Sequence, residues 1–221
     1  QAMIAMTYPD GTCMTLHQDP EKTAASIARI SKVDAESFRE LHEMFSVKMR
    51  PVIQSDAARP LANYSECVVA GPFVFAGGQI ASDYKTGIPP EARTDPAFPY
   101  YGSDIKRQTD YILGNLSKTF EAAGASLDDV IKAQVFMRDL DEFFAFDEVW
   151  KTYFKTPPPR TTVGTTSLLV PGCKVEVDLI GLMPDSGMEK TLIRSDAPSP
   201  MANYSEGYRA GDFVFAAGQI A

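Results

Sequence analysis

The sequence is poor in the residues that metal, disulfide and nucleic-acid chemistry require. Its 221 residues include three cysteines, two histidines and one tryptophan. Cys13, Cys67 and Cys173 are far apart, odd in number and form no CxxC pair, so neither a disulfide framework nor a structural zinc site is suggested. This cysteine usage fits a reducing compartment such as the cytoplasm. Both histidines, His17 and His42, lie near the N-terminus. His42 shares helical spacing with Phe38 and Phe45 and reads as a helix-face residue rather than a ligand. The formal net charge is −8, and no Lys/Arg cluster interrupts it. Phosphate binding needs a concentrated basic surface, so RNA and DNA are disfavoured as partners. No apolar run reaches the ~20 residues that cross a bilayer, and no membrane partner is expected. No signal peptide is visible, but the chain opens on Gln1, so an upstream segment is allowed for. There is no GxGxxG loop and no metal-ligand set, so no cofactor is expected.

Against these absences stands a hydrophobic content of 44%, enough for a packed core. An internal repeat organises the chain. Residues 53–81 read IQSDAARPLANYSECVVAGPFVFAGGQIA and residues 193–221 read IRSDAPSPMANYSEGYRAGDFVFAAGQIA. About two-thirds of the positions are identical at a constant offset of 140. A duplicated domain explains this, with a complete copy at 51–184, a short polar linker (Pro184, Asp185, Ser186, Gly187) and the start of a second copy at 190–221. The rest of that second copy is expected from a longer polypeptide or a partner chain.

Residues 1–50 read as a helical segment. Asp19-Pro20-Glu21 is a helix start, with Asp as N-cap and Pro in the first turn. Asp34 opens a second helix whose apolar face is Phe38, Leu41, Met44, Phe45 and Met49, and Pro51 stops it. In the complete copy, Asn63–Val69 and Phe73–Ala76 are candidate strands joined by a Gly71-Pro72 turn. Gly77-Gly78 permits close approach of a ligand or another chain segment. A long Pro-rich aromatic loop, 82–101, follows. Asp104 then caps a helix running to Ala123, with Ile105, Tyr111, Ile112, Leu116 and Phe120 inward and Gly124 at its end. Val130–Met137 is a strand, and Asp141 opens a helix with Phe144, Val149, Trp150 and Phe154 inward, ended by Pro157-Pro158-Pro159. Thr161–Leu168 and Val175–Leu182 complete the order ββαβαββ, an α+β sheet with two helices on one face. Apolar character on the other sheet face points to packing between sheets in an oligomer.

Six segments carry a family resemblance. NYSE at 63–66, FVFAGGQIA at 73–81, QTDYILGNL at 108–116, EAAGASLDDVIKAQVFMRDLDEF at 121–143, PPPRTTV at 157–163 and KVEVDLIGL at 174–182 resemble the RidA (YjgF) family. The resemblance implies a chorismate-mutase-like fold, trimers with sites between subunits, and deamination of small enamines and imines to keto acids and ammonia. Residues 8–31, YPDGTCMTLHQDPEKTAASIARIS, also resemble a segment of phytoene-dehydrogenase-like flavoprotein oxidoreductases, enzymes that need the dinucleotide loop this sequence lacks.

Imine hydrolysis requires a held substrate, a placed water and proton transfer at nitrogen. Arg160, behind a rigid triple proline, suits a substrate carboxylate, since guanidinium pairs with carboxylate in a fork. The resemblance assigns it that role. The resemblance likewise implies Glu176 as the group that orients water or moves protons, Tyr64 as the residue closing over the substrate, and Gly78 as a backbone contact. Thr162 lies beside Arg160, and Tyr204 repeats Tyr64 in the second copy, where it is placed to face Arg160 if sites form between domains. Three positions depart from the family: Gly77 where Ser is usual, Thr162 where Cys is frequent, and Asp147 where Asn is found. Asp147 would repel an acidic substrate if it pointed into the pocket. Three readings stay open. The chain is an imine or enamine deaminase, a carboxylate-binding module without catalysis, or the imine-clearing accessory domain of a larger amine oxidoreductase.

Overall fold

The computed structural model describes the chain except residues 1, 8–12, 18, 47–48, 51–53, 61–62, 84, 197–198 and 220–221. The side chains at 2–7, 13, 15–17, 41–46 and 49–50 also lie outside the description, among them His17, His42 and most of the apolar face expected around Phe45. The chain forms two compact units, Gln1–Met49 and Arg50–Ala221.

The first unit is not purely helical, as the sequence reading expected. It begins with an antiparallel hairpin, β1 (Ala2–Thr7) and β2 (Cys13–His17), before α1 (Pro20–Ala28) and α2 (Lys32–Ser46). The sequence signal for these strands is two short runs rich in Met, Ile and Thr, at 2–7 and 13–17. Asp19 caps α1, its side chain accepting from the Glu21 and Lys22 amides at 3.0 and 3.4 Å. The second helix starts two residues before Asp34, because the Ser31 hydroxyl accepts the Asp34 amide at 3.2 Å.

β3 (Met49–Arg50) falls at the boundary between the units. The second unit then runs β4 (Cys67–Ala70), β5 (Phe73–Ala76), β6 (Gln79–Ile80), α3 (Asp104–Ala123), β7 (Val130–Met137), α4 (Phe143–Tyr153), β8 (Arg160–Gly164) and β9 (Val175–Leu182). Its sheet has the order β4-β5-β9-β7-β8, with β6 also pairing β9. Apart from the added two-residue strand β6, this is the ββαβαββ order read from the sequence. Strands β7 and β8 are parallel and the other pairs antiparallel, and β8 is the edge. Ala133, Val135 and Met137 of β7 and Val175, Val177 and Leu179 of β9 are wholly buried beneath α3 and α4. Against them lie Ile112, Leu116, Phe120, Phe146 and Trp150. Burying each such side chain contributes about 1.5–3 kcal/mol.

Several boundaries moved for identifiable reasons. Residues 63–66 turn rather than pair, and the Glu66 carboxylate is drawn onto the Ser55 amide at 3.0 Å and hydroxyl at 2.6 Å, so the strand starts at Cys67. Asp104 is the first helical residue of α3, not its cap; its carboxylate accepts the Thr94 amide at 2.6 Å and pins the loop before it. Gly124 ends α3 at φ 85°, a conformation few other residues adopt. α4 follows a 3-10 turn at Leu140–Glu142, which shifts its phase: Phe146 and Trp150 point inward, and Phe144 is 67% exposed instead. The expected strand 161–168 stops at Gly164.

After a turn at Pro184–Ser186, a separate three-stranded sheet forms from β10 (Lys190–Ile193), β11 (Gly207–Ala210) and β12 (Phe213–Ala216). β11 and β12 pair Gly207 with Ala216, as β4 and β5 pair Cys67 with Ala76, so the repeated sequence forms the same hairpin in the same register. This second hairpin packs on the helix-free side of the large sheet, where Tyr208 and Ala210 meet Phe73, Ile131 and Leu182.

Candidate functional site

Arg160 opens β8 opposite Ala133, so its side chain falls on the helix-facing side of the sheet. It is 3% exposed. Its guanidinium carbon lies 5.3 Å from the Phe143 ring centre, 5.2 Å from that of Phe146 and 4.9 Å from that of Trp150. Six residues separate α4 from β8, and three of them are prolines, so the aromatic face of the helix is held directly over the strand it leads into. Nη2 donates to Asp147 Oδ1 at 2.7 Å. Nη1 is buried with no hydrogen-bond partner among the described residues. Burial pushes the guanidinium pKa down while Asp147 opposes the shift.

Asp147 therefore does not stand free in the pocket. Its other oxygen accepts the Asn203 backbone amide at 3.2 Å and the Asn203 side-chain amide. A buried pair bonded this fully is costly to break from either side.

The second repeat completes the surroundings. The Tyr204 ring centre is 5.8 Å from the Arg160 guanidinium. The Ser205 hydroxyl donates to the Pro157 carbonyl at 2.5 Å, and the Gly218 amide donates to the Arg160 carbonyl at 3.2 Å. Lys132 Nζ donates to the Thr161 hydroxyl at 2.9 Å and the Ala216 carbonyl at 2.6 Å, which ties β12 to the edge strand. A Cβ on Gly218 would stand 2.9 Å from Thr161 Cγ2, so the absence of a side chain there permits the approach. Together these residues enclose a cavity of about 200 Å³ lined by Phe143, Arg160, Thr162, Met201, Tyr204 and Gly218. Two larger depressions on the helical side, beside Lys155 and beside Arg107, share none of these residues.

The remaining expected site residues gather elsewhere. Glu176 pairs with Phe136 across β9 and β7, and therefore lies on the opposite sheet face from Arg160. A Cβ at Gly78 would run into the Glu176 carboxylate, and one at Gly77 would reach Tyr64 Cδ2 at 3.5 Å. Tyr64, Gly77, Gly78 and Glu176 thus form one cluster. Tyr64 is 41% exposed. Burial raises the Glu176 carboxyl above the ordinary range, and Asp178, two residues along the same strand face, is raised by burial and by Glu176. The sequence reading put Arg160 and Glu176 in one site; within this chain the sheet separates them. It missed Asn203, Phe143 and Phe146 as site residues. Asn203 was within reach, since it stands next to Tyr204 in the repeated NYSE segment.

Comparisons with known proteins agree with the fold. The family model described as Endoribonuclease L-PSP matches residues 54–183. A RutC family protein of Pyrococcus horikoshii is 34% identical over 129 residues, covering 58% of this chain and 94% of that protein. A 2-iminobutanoate/2-iminopropanoate deaminase of Dermatophagoides farinae is 32% identical over 125 residues, covering 56% of this chain and 88% of that protein. Among solved structures, a putative endoribonuclease from Thermotoga maritima superposes with TM-score 0.51 at 32% identity, covering 61% of this chain and 98% of its own. RidA from an Antarctic Psychrobacter superposes with TM-score 0.50 at 31% identity, covering 60% and 99%.

Proposed function

The chain belongs to the Endoribonuclease L-PSP (RidA/YjgF) family, and on that premise we propose that it hydrolyses small reactive imines or enamines to carbonyl compounds and ammonia, without a cofactor. The observation that carries this reading is the Arg160 cavity. Arg160 backs a cavity of about 200 Å³ whose wall includes Phe143 and Tyr204, and its desolvated guanidinium leaves Nη1 without a hydrogen-bond partner among the described residues. That volume suits a substrate of a few heavy atoms. Such a donor binds a substrate acceptor strongly because water competes poorly there. Names of relatives support the reaction class, one being the Dermatophagoides deaminase. In this proposal Arg160 holds the substrate, Tyr204 closes over it, and the Thr162 and Gly218 backbone lines its edge.

The Tyr64–Gly78–Glu176 cluster is the counterpart half-site. Tyr204 and Gly218 lie against an arginine-bearing strand edge, so their repeat equivalents Tyr64 and Gly78 would take such an edge from a further copy or a partner chain. There Glu176, whose carboxyl burial raises, would orient water in a further site assembled between chains, separate from the Arg160 cavity. A second reading is a binding module that keeps the small-molecule pocket without turnover. The separation of Glu176 from Arg160 by the sheet favours it. Ammonia release from imines generated in situ by amino-acid and amine oxidases separates the two. A rate above the buffer reaction that disappears in folded Arg160→Ala supports hydrolysis. Tight binding of the keto products with no rate on any imine supports the binding module.

A further inference from the structure

Lys132 stands on β7 opposite Ile180 of β9, so its side chain leaves the sheet on the helix-free face, away from Arg160. Its half-buried ammonium donates to the Thr161 hydroxyl at 2.9 Å and the Ala216 carbonyl at 2.6 Å, and it meets no carboxylate among the described residues. The titratable groups on the elements around it are Asp178, one pleat along β9 from Ile180, Tyr208 on β11 and Lys190 on β10; β8 and β12 add none on this face. With no acid paired to it, burial holds its pKa below that of an ordinary lysine. An ammonium has no acceptor, so the Thr161 hydroxyl must accept from Lys132 and is left to donate its own proton elsewhere. That proton has no acceptor among the described residues. Thr161 lines the cavity together with Tyr204, Gly218 and Gln219. A Cβ on Gly218 would stand 3.0 Å from Thr161 Oγ1, so the missing side chain keeps the space beside the hydroxyl open. The cavity wall therefore carries a hydroxyl donor strengthened by the cation behind it.

We propose that Thr161 and Lys132 form a proton relay to the substrate nitrogen: the Thr161 hydroxyl donates to the imine nitrogen, and the Lys132 ammonium replaces the proton it gives up. This rests on the imine-hydrolase reading of the cavity. In the first step the water oxygen bonds to the imine carbon, and the carbon–nitrogen π pair moves to nitrogen and takes the Thr161 proton. Lys132 passes a proton to Thr161 Oγ1, and the proton shed by the added water returns to the Lys132 amine through solvent. In the second step the relay protonates nitrogen again, the carbon–nitrogen bond breaks, and ammonia leaves. The hydroxyl on carbon becomes the carbonyl, and its proton restores Lys132. One water is consumed and one ammonia released. Thr161 is the catalytic residue, since it touches the nitrogen; Lys132 is a positioning residue that acts through it.

The test is the pH profile of kcat/KM on imines generated in situ by amino-acid and amine oxidases, with the oxidase in excess at every pH and the buffer reaction subtracted. Wild type is compared with Lys132→Arg, Thr161→Val, Thr161→Ser and the Lys132→Arg/Thr161→Val double variant at confirmed folding. Wild-type kcat/KM is expected to fall on an alkaline limb below the ordinary lysine pKa of about 10.4, as Lys132 loses its proton. Arginine keeps the charge and the donors but does not give up a proton, so Lys132→Arg should be slower by about tenfold or more and lack that limb. Thr161→Val should match it, Thr161→Ser should restore both rate and limb, and the double variant should be no slower than either single one, as for groups acting as a unit. Turnover whose alkaline limb survives in Lys132→Arg, whose rate is untouched in Thr161→Val, or whose losses multiply in the double variant overturns the relay and leaves the hydrolase reading standing. A wild type that turns over no imine at any pH brings down both.

Discussion

The same sequence motif is used twice in this chain, in two environments. Residues 63–78 and 203–218 share NYSE and FVFA and form hairpins in one register, and the amides of Gly77 and Ala217 donate to the carbonyls of Glu66 and Glu206 at the same 2.8 Å. Their buried faces differ. In the first hairpin Cys67, Val69 and Val74 are covered by the helices. In the second, Gly207, Arg209 and Val214 occupy those positions; Arg209 is exposed and Val214 is 64% exposed, while Tyr208 and Ala210 on the reverse face pack on the first repeat. Substitution of Val68 by Tyr208 and of Val69 by Arg209 moves the apolar weight from one face of the strand to the other, which a period-two element allows without changing its pairing. The comparison teaches that the Asn-Tyr-Ser turn and its partner glycine form a portable docking surface, seen in use at Asn203, Tyr204, Ser205 and Gly218 against the Arg160 edge.

Removing the receptor side of this contact should have the largest effect. Arg160→Ala leaves Asp147 buried without its cation and is expected to lower stability by about 3–5 kcal/mol, read as a shift of the urea midpoint. Glu176→Ala, in the other cluster, should leave the midpoint near that of wild type, because Glu176 has no comparable buried partner among the described contacts. Equal losses would break the distinction between the two halves. Next come the glycines. Gly218→Ala forces a methyl against the branched Thr161 side chain, whose strand anchors it, and should cost about 1–3 kcal/mol. Gly78→Ala meets only the carboxylate end of Glu176, which can swing aside, and should cost less. The smallest effect is electrostatic. Burial raises the Glu176 carboxyl, so its contribution to stability is complete below the ordinary carboxyl pKa and is lost as pH rises through the raised folded value. Glu176→Gln should therefore flatten the fall in stability from about pH 4 upward, measured by denaturant unfolding at a series of pH values.

Much of the fold was legible because its signals are local. Gly124 and the Ile105–Phe120 face defined α3, and the repeat foretold the hairpin at 207–216 before any contact was known. Phase was harder at α4, where the run Phe143-Phe144-Ala145-Phe146 fits a helical stripe in more than one rotation and the 3-10 turn at Leu140–Glu142 decided between them. Of the site, Arg160, Tyr204 and Asp147 were named from sequence, and their meeting required a contact between repeats that was only conditional there. The pairing of Asp147 with both Arg160 and Asn203 was not legible, since it links residues 13 and 56 positions apart through the packing of α4 on an edge strand. Alternation alone was sufficient to show that Arg160 and Glu176 lie on opposite faces, but only once the register of β7 with both β8 and β9 was fixed.

The central claim is that the working cavity is the one the second repeat closes over Arg160. Ammonia release from imines generated in situ by amino-acid and amine oxidases, measured side by side for Tyr204→Ala and Tyr64→Ala at confirmed folding, tests it most directly. The account predicts a loss of about tenfold or more in kcat/KM for Tyr204→Ala, whose ring lies over the guanidinium, and little change for Tyr64→Ala. A loss confined to Tyr64→Ala would place the chemistry at the Glu176 cluster and contradict it.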